Sequence, residues 1–473
     1  MLFNSRTFLA FFAIVLPAYL ALTGRRRAQN VLLLLASLVF YGFWDYRFLG
    51  LLALSSGVDF ITAQKIRDTD SPRRKKLFLV VSLVMNLAVL GFFKYANFFA
   101  ASTVALLGFV GVTVPPLALS IALPVGISFY TFQAMSYCID VYRGDLEPTR
   151  SPLDYALFIA FFPHLVAGPI QRPVVLLPQM AKDRTIAWSE VNAGLFLIVW
   201  GYLKKVVIAD NMARIANPIF DGWQSQAGLD IVVGALAFTF QIYGDFSGYS
   251  DIARGLSKLM GFELLLNFRL PYFALNPTDF WLRWHVSLST WLRDYLYIPL
   301  GGNRGSQLAT YRNLFMTMLL GGLWHGAAWN FVLWGAYHGG LLVAYRLLDR
   351  DPEHEDPWSG RFSTARILAK MLLMFAFTVV GWVIFRSRSA GQAFGMLARM
   401  GFTTSSATRD LFGLFGFFVT PLVAMQIWQY RAKDLLVLTR ARPWLCGLAY
   451  GAMLVAILVF GVRDSVEFIY FQF

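Results

Sequence analysis

Long apolar runs that are nearly free of charge dominate this 473-residue chain. A helix needs roughly 20 such residues to cross about 30 Å of hydrocarbon. Hydrophobic residues make up 57% of the chain, more than a soluble protein of this length needs to fill its core. The pattern predicts an all-α polytopic membrane protein with roughly 10–12 transmembrane helices. The clearest apolar runs are residues 7–23, 29–44, 48–64, 77–93, 189–203, 365–385 and 443–462.

Basic residues occur in short clusters beside these runs. Arg25, Arg26 and Arg27 follow the first run, and residues 65–76 hold a second cluster. Because cytoplasmic loops of membrane proteins carry an excess of Lys and Arg, we expect both clusters in the cytoplasm and the N-terminus outside. Such clusters attract anionic lipid headgroups. The net charge of +14 therefore does not indicate a nucleic-acid partner, which would need the cations on one face.

The middle of the chain, about residues 116–345, differs from the plain apolar segments on either side. Its apolar stretches are broken by Pro and Gly and carry polar residues. Irregular backbone at membrane depth is tolerated only where protein buries it or water lines it. We therefore expect a single integral membrane domain, residues 1–473, whose core at about 116–345 encloses a cavity. The broken stretches are 123–132, 161–170, 243–255 and 270–281.

Four of the five histidines lie in this middle region, although ionisable side chains are costly at membrane depth. Histidine exchanges protons near neutral pH, so the cluster indicates acid–base chemistry or ligand binding. His164, next to Pro163, is more simply explained as a packed side chain. His354, in an acidic loop, is expected to be solvated. The four histidines of the middle region are His164, His285, His325 and His338.

His285 lies in the segment 276–305, which starts with the helix-capping sequence NPTD. From Trp281 to Tyr295 aromatic and apolar residues recur at helical spacing, which predicts one continuous amphipathic helix. Two interpretations remain open for it. The helix is an anchor at the membrane surface, or it dips into the membrane with His285 on its buried side.

His325 and His338 lie in the apolar segment 321–340. One continuous helix would separate them by roughly 220°, so the spacing does not predict a simple pair. The same helix would place His325 beside Trp329, and His338 beside Trp334. Glycines around His325 leave room for a second backbone or a thin ligand. Alternatively, each histidine is a packed residue bonded to a neighbouring carbonyl.

Metal and redox chemistry have little support in the sequence. His285 and His325 offer two ligands, but no third ligand is evident, so we predict no metal site. Cys138 and Cys446 show neither metal-binding nor redox spacing and are expected to be small buried side chains. Asp245, within the polar stretch YGDFSGYSD, is expected to line the cavity or to end a broken helix rather than to support a nucleophile.

Two long segments carry a family resemblance. FWLRWHVSLSTWLRDYLYIPLGGNR (280–304) and GGLWHGAAWNFVLWGAYHG (321–339) resemble the membrane-bound O-acyltransferases, in particular the bacterial branch that acetylates alginate and related polysaccharides. The resemblance implies a helical fold with re-entrant or interfacial helices around a central tunnel. It also implies that His325, in the WHG motif, is the active-site residue and that His285 lies close to it. Residues expected to line the tunnel are Trp281, Trp284, Trp324, Asp245 and His338. The likeness extends through segments 4–12, 30–49, 92–99, 123–144, 161–173 and 245–272.

The resemblance further implies a function. Acetyl groups would pass from a cytoplasmic donor, acetyl-coenzyme A, across a bacterial inner membrane to an exported polysaccharide, with no bound cofactor. His325 would either take a proton from the attacking hydroxyl or carry the acetyl group itself. A separate periplasmic protein of the SGNH type is expected to complete the transfer onto the polymer. The N-terminus would then be periplasmic.

Two other functions remain open at this point. A D-alanyl transferase of teichoic-acid modification would keep the fold and take its acyl group from a carrier protein. A proton-coupled transporter or flippase would use the cavity histidines to relay protons. No inverted repeat in the sequence favours the transporter.

Overall fold

The structure, a computed structural model, describes residues 1–115, 119–348, 363–462 and 468–469. Within these ranges the chain is helical and contains no β-strand, which confirms the all-α prediction. His354 lies outside the described residues. The first ten helices are α1 (Arg6–Ala21), α2 (Arg26–Asp45), α3 (Arg47–Asp68), α4 (Pro72–Leu90), α5 (Ala96–Phe109), α6 (Ile127–Arg143), α7 (Pro152–Ala160), α8 (Phe162–Leu165), α9 (Pro173–Ala181) and α10 (Trp188–Tyr202). The other ten are α11 (Asp210–Asp221), α12 (Gly228–Leu259), α13 (Pro277–Trp281), α14 (Val286–Leu292), α15 (Gln307–His325), α16 (Trp329–Leu348), α17 (Thr364–Arg386), α18 (Ala390–Arg399), α19 (Thr408–Ala432) and α20 (Pro443–Phe460).

Each of the seven clearest apolar runs coincides with one helix: α1, α2, α3, α4, α10, α17 and α20. Among the described residues, seven helical stretches are long and apolar enough to cross a membrane. The protein is therefore a multi-pass membrane protein. The count of roughly 10–12 crossings stays a prediction, because it would also need shorter or more polar helices such as α1, α3, α15 and α16. The seven stretches are Arg26–Asp45, Pro72–Phe109, Trp188–Asp221, Gly228–Leu259, Thr364–Arg386, Thr408–Ala432 and Pro443–Phe460.

The chain forms two compact units. The expectation that residues 1–473 form one membrane domain stays a prediction. The first unit comprises residues 1–195 and 253–265, and the second residues 196–252 and 266–473.

In the first unit α3, α4 and α6 pack against one another around a buried polar contact. The Asp59 carboxylate accepts a hydrogen bond from Asn86 Nδ2 at 2.8 Å, and Cys138 is buried beside it, as expected for a small interior side chain. Cys446, in the second unit, is only half-buried.

In the second unit α15 and α16 form a tight antiparallel hairpin. Glycines at the contact let the two backbones touch, because an added Cβ on Gly335 would lie 2.5 Å from the Met318 carbonyl oxygen and 3.0 Å from Leu319 Cα. Gly322 makes the reciprocal contact from α15, where an added Cβ would lie 2.8 Å from Gly335 Cα. The prediction that glycines near His325 admit a second backbone is confirmed. The hairpin thereby fixes the position of the last residue of α15, which is His325.

Two sequence-based expectations about local structure are wrong. The stretch 243–255 does not break a helix, because it lies inside the continuous 32-residue helix α12. Its glycines serve packing instead, since an added Cβ on Gly248 would meet the Gly201 carbonyl oxygen at 2.7 Å. The predicted single helix from 277 to 295 is two helices, α13 and α14, with a break at residues 282–285.

The predicted helix start at residue 276 is confirmed. The Asn276 side chain accepts a hydrogen bond from the backbone N–H of Asp279 at 2.8 Å, and Pro277 occupies the first helical position.

We predict opposite effects of alanine at two glycines of α16. Gly335→Ala should lower the free energy of unfolding by about 1–3 kcal/mol, because the methyl group pushes α16 away from α15. Gly340→Ala should raise it by up to about 1 kcal/mol, because nothing lies within 4 Å of the new Cβ and alanine favours the helix. Thermal unfolding of the two purified variants in detergent measures both effects. Equal stability of the two variants would contradict the close backbone contact.

Candidate functional site

His285 occupies the break between α13 and α14. Its φ of 43° and ψ of 52° are left-handed, a conformation that is uncommon for a residue other than glycine. Two backbone hydrogen bonds hold the break, from Arg269 N to Arg283 O and from Val286 N to Asn267 O, each 2.9 Å. The segment around Asn267 thus replaces the helical bonds that a continuous helix would have made. Because this pairing is tertiary, the periodicity of the segment could not predict the break in the helix.

The break buries the His285 ring completely, with 0% of its surface exposed. Its Nδ1 atom lies 3.1 Å from Asn267 Oδ1, and its ring packs edge-on against Phe246 with 4.7 Å between ring centroids. No sequence pattern predicted a role for Asn267, whose one signal is that it is a lone amide after an apolar run, LLLN.

His325 is the last residue of α15 and is 4% exposed. The next residue, Gly326, leaves the helix in an extended conformation, and an added Cβ there would overlap the Phe331 ring. The ring of His325 lies among aromatic side chains, with centroids 5.0 Å from Trp334 and 5.6 Å from Phe385. These aromatic side chains hold the imidazole at the turn between α15 and α16.

The structure brings His285 and His325 together. Their ring centroids are 6.4 Å apart, and Trp324 lies beside both, at 6.0 Å from His285 and 5.1 Å from His325. The proximity implied by the family resemblance is therefore present in the structure. With ring centroids 6.4 Å apart, the two imidazoles are close enough for one small group lying beside the pair to contact both.

A cavity of about 640 Å³ in the second unit reaches His325. It follows one face of α15 from Leu314 to His325, a distance of about 16 Å at 1.5 Å per residue. Its other walls come from α13, α14, the turn that follows α14, and α16, and they include Trp281, Arg293 and Arg346. A long, narrow group could thus extend along α15 with its end at the His325 imidazole.

Of the other predicted tunnel residues, Trp281 lines this cavity, whereas Trp284, Trp324, Asp245 and His338 are not among its walls. Trp284 is buried against Trp382, with ring centroids 4.7 Å apart. The Asp245 carboxylate forms an ion pair with Lys205 at 2.8 Å, and the same lysine forms a second ion pair with Asp210 at 2.9 Å.

His338 is buried in an aromatic stack. Its ring lies 5.9 Å from Phe280 in a parallel arrangement, 5.2 Å from Trp281 and 4.7 Å from Trp334. The predicted contact between Trp334 and His338 is confirmed.

The expected pairing of His325 with Trp329 is wrong, because α15 ends at one and α16 begins at the other. Trp329 is 65% exposed. For the same reason the separation of roughly 220° between His325 and His338, which assumed one continuous helix, does not apply. His164, in the first unit, is a buried side chain beside Phe161.

Metal ligands do not cluster in the parts of the chain that the structure describes. No group of three or more His, Cys, Asp or Glu residues there is arranged to hold a metal ion.

Comparisons with known proteins identify the family. Residues 146–375 match the profile of the MBOAT, membrane-bound O-acyltransferase family. A probable alginate O-acetylase, AlgI, from Azotobacter vinelandii is 46% identical over 407 residues, which cover 85% of this chain and 78% of that protein. A peptidoglycan O-acetyltransferase from Helicobacter pylori is 38% identical, covering 85% of this chain and 80% of that protein. A teichoic acid D-alanyltransferase from Bacillus subtilis is 30% identical, covering 56% of this chain and 69% of that protein.

The first two relatives match over most of both chains. Residues 146–375, which match the family profile, include both histidine segments. Because the family and both relatives are named as acyltransferases, the protein is an enzyme, and these comparisons do not favour a transporter. The protein belongs to the membrane-bound O-acyltransferase family and is an O-acyltransferase of the type represented by the alginate O-acetylases.

Proposed function

We propose that this protein moves acetyl groups from cytoplasmic acetyl-coenzyme A across the inner membrane for O-acetylation of an exported polysaccharide, at a centre formed by His325 and His285. The observation that carries this proposal is the placement of the two imidazoles 6.4 Å apart, with His325 at the end of a cavity of about 640 Å³. The relatives named for acetylation of alginate and of peptidoglycan support acetyl as the acyl group and a glycan polymer as the final acceptor.

The chemistry needs a base beside the thioester. The neutral imidazole of His325 takes the proton of the attacking hydroxyl as its oxygen bonds to the carbonyl carbon. The tetrahedral intermediate then expels the thiolate by breaking the C–S bond, and the imidazolium returns the proton to sulfur. Aromatic walls around His325 exclude water, which would otherwise hydrolyse the thioester. His285, whose ring centroid lies 6.4 Å from that of His325, helps to orient the reacting groups.

The cavity suits a thioester that arrives on a long, charged carrier. Acetyl-coenzyme A carries phosphates and cannot cross hydrocarbon, so only its extended arm would enter. Because α16 runs antiparallel to α15, Arg346 lies toward the N-terminal end of α15, away from His325. That end also carries Arg304 and Arg312, and by the positive-inside rule it faces the cytoplasm. The phosphates would pair with Arg346 while the acetyl group lies at His325.

The site of action follows from this direction of transfer. We place the protein in a bacterial inner membrane with its N-terminus periplasmic, where clusters 25–27 and 65–76 face the cytoplasm. The acceptor hydroxyl reaches His325 from the opposite side, and we propose a periplasmic SGNH-type protein as the partner that passes acetyl groups to the polymer. Lipids are its other partners, and no bound cofactor takes part.

We predict that two histidine substitutions will separate catalysis from packing. His325→Ala should lower acetylation of the secreted polysaccharide by about 10²–10⁴-fold, because the base is lost. His338→Phe should keep the rate within about one order of magnitude, because the ring mainly fills space between Phe280 and Trp334. Proton NMR of the polymer measures acetyl groups per sugar and also identifies the sugar. Full acetylation by the His325 variant, at normal membrane levels, would remove that residue from the chemistry.

We predict that Arg346→Gln raises the acetyl-coenzyme A concentration at half-maximal rate by about tenfold or more, because one charge-assisted hydrogen bond to phosphate is lost. The maximal rate should stay near wild type. Arg312→Gln is the matched control, since Arg312 is exposed at the same end of α15, bonds Asn313 and does not line the cavity. Incorporation of [14C]acetyl groups in permeabilised cells gives both parameters. An equal shift in both variants would argue against the cavity as the donor site, and stimulation by an acyl-carrier protein instead of acetyl-coenzyme A would favour the D-alanyl transferase.

A further inference from the structure

Asn267 lies in the irregular segment after α12 and is 1% exposed. Its backbone carbonyl accepts a hydrogen bond from Val286 N at 2.9 Å, directly after His285. Its side-chain Oδ1 accepts one from Ser287 Oγ at 2.7 Å and lies 3.4 Å from Ser287 N. Its Nδ2 donates to Ser250 Oγ on α12 at 3.2 Å. One buried amide thus connects α12 to the left-handed turn that carries His285.

The contacts of Asn267 determine which of its terminal atoms faces His285. A backbone N–H can only donate, so the atom near Ser287 N has to be the amide oxygen. The same oxygen lies 3.1 Å from His285 Nδ1. Because a carbonyl oxygen can only accept, Nδ1 has to carry a proton. In a neutral imidazole the lone pair is then on Nε2.

We propose that Asn267 is a positioning residue that holds His285 in the tautomer protonated on Nδ1, so that Nε2 acts as the hydrogen-bond acceptor in the acyl-transfer site. The effect on rate rests on the function proposed above, whereas the tautomer does not. A neutral amide suits this task because it fixes the ring without adding a buried charge. An imidazole released from Asn267 could turn or take its proton on Nε2, and it would then present an N–H donor instead of a lone pair beside His325.

The tautomer can be measured directly. Full-length protein labelled with [15N]histidine, reconstituted in lipid bilayers, is studied by solid-state NMR, and His285→Gln assigns the resonances. We expect His285 to give the signature of a protonated Nδ1 and an unprotonated Nε2. Asn267→Leu, which has a similar shape and no acceptor, should convert part or all of this signal to the other tautomer. A wild-type His285 protonated on Nε2, or an unchanged spectrum in Asn267→Leu, would overturn the proposal.

Kinetics in permeabilised cells test the consequence for the reaction, with [14C]acetyl-coenzyme A as the probe. Asn267→Leu should lower the maximal rate by about 10–100-fold and leave the half-saturating donor concentration unchanged. Asn267→Asp keeps an oxygen acceptor and should recover most of this loss. Asn211→Ala is the matched control, because Asn211 is a buried amide of the same unit whose Nδ2 donates to the backbone carbonyls of Val207 and Phe460.

Each kinetic outcome has one interpretation once membrane levels and thermal stability are matched. A wild-type rate in Asn267→Leu, or a loss as large in Asn211→Ala, would show that Asn267 does not position His285 for the reaction. A wild-type rate in His285→Gln would overturn the proposed role of His285 itself, and the NMR result would still decide the tautomer.

Discussion

The contact between the backbones of α15 and α16 is the constraint on which the site depends. Gly322 and Gly335 allow the two helices to touch without intervening side chains. Helix α15 ends at His325 because Gly326 is extended, and the ring of His325 then packs against Trp334. Any residue larger than glycine at the contact would move α16, and with it the aromatic wall of the imidazole.

The position of the second histidine, His285, depends on tertiary hydrogen bonds to the backbone. His285 lies at a left-handed turn whose backbone bonds come from residues 267 and 269 instead of from its own helix. The polar side chains bonded around this turn include one amide and two hydroxyls, those of Asn267, Ser287 and Ser250. Neutral donors and acceptors can fix an imidazole in a buried site without the desolvation cost of an extra charge.

The sequence predicts the helical membrane fold well because apolar length is a local property. All seven of the clearest apolar runs correspond to helices, and NPTD starts a helix where its capping residues indicate. The errors occur where tertiary contacts override the local pattern. Glycines in 243–255 predicted a break, yet in α12 they serve close packing, as at Gly248. The regular stripe after residue 281 predicted one helix, and it is interrupted by pairing with a segment that periodicity cannot identify.

The candidate site was predictable only in part for the same reason. Spacing alone left His285 and His325 without a defined role, and the family motifs selected them. Nothing in the local sequence links Asn267 to a histidine 18 residues later, because their contact depends on the turn at His285. His338 shows the converse case, since a histidine within an apolar helix proves to be part of an aromatic stack.

The central claim is that His285 and His325 act as one acyl-transfer centre, and a double-mutant cycle tests it most directly. Initial rates of [14C]acetyl transfer from acetyl-coenzyme A to the secreted polysaccharide are compared for His285→Ala, His325→Ala and the double variant at equal membrane levels. Residues that work as a unit are strongly non-additive, so the double variant should be within about threefold of the slower single variant. Losses that multiply would show two independent contributions and contradict the account.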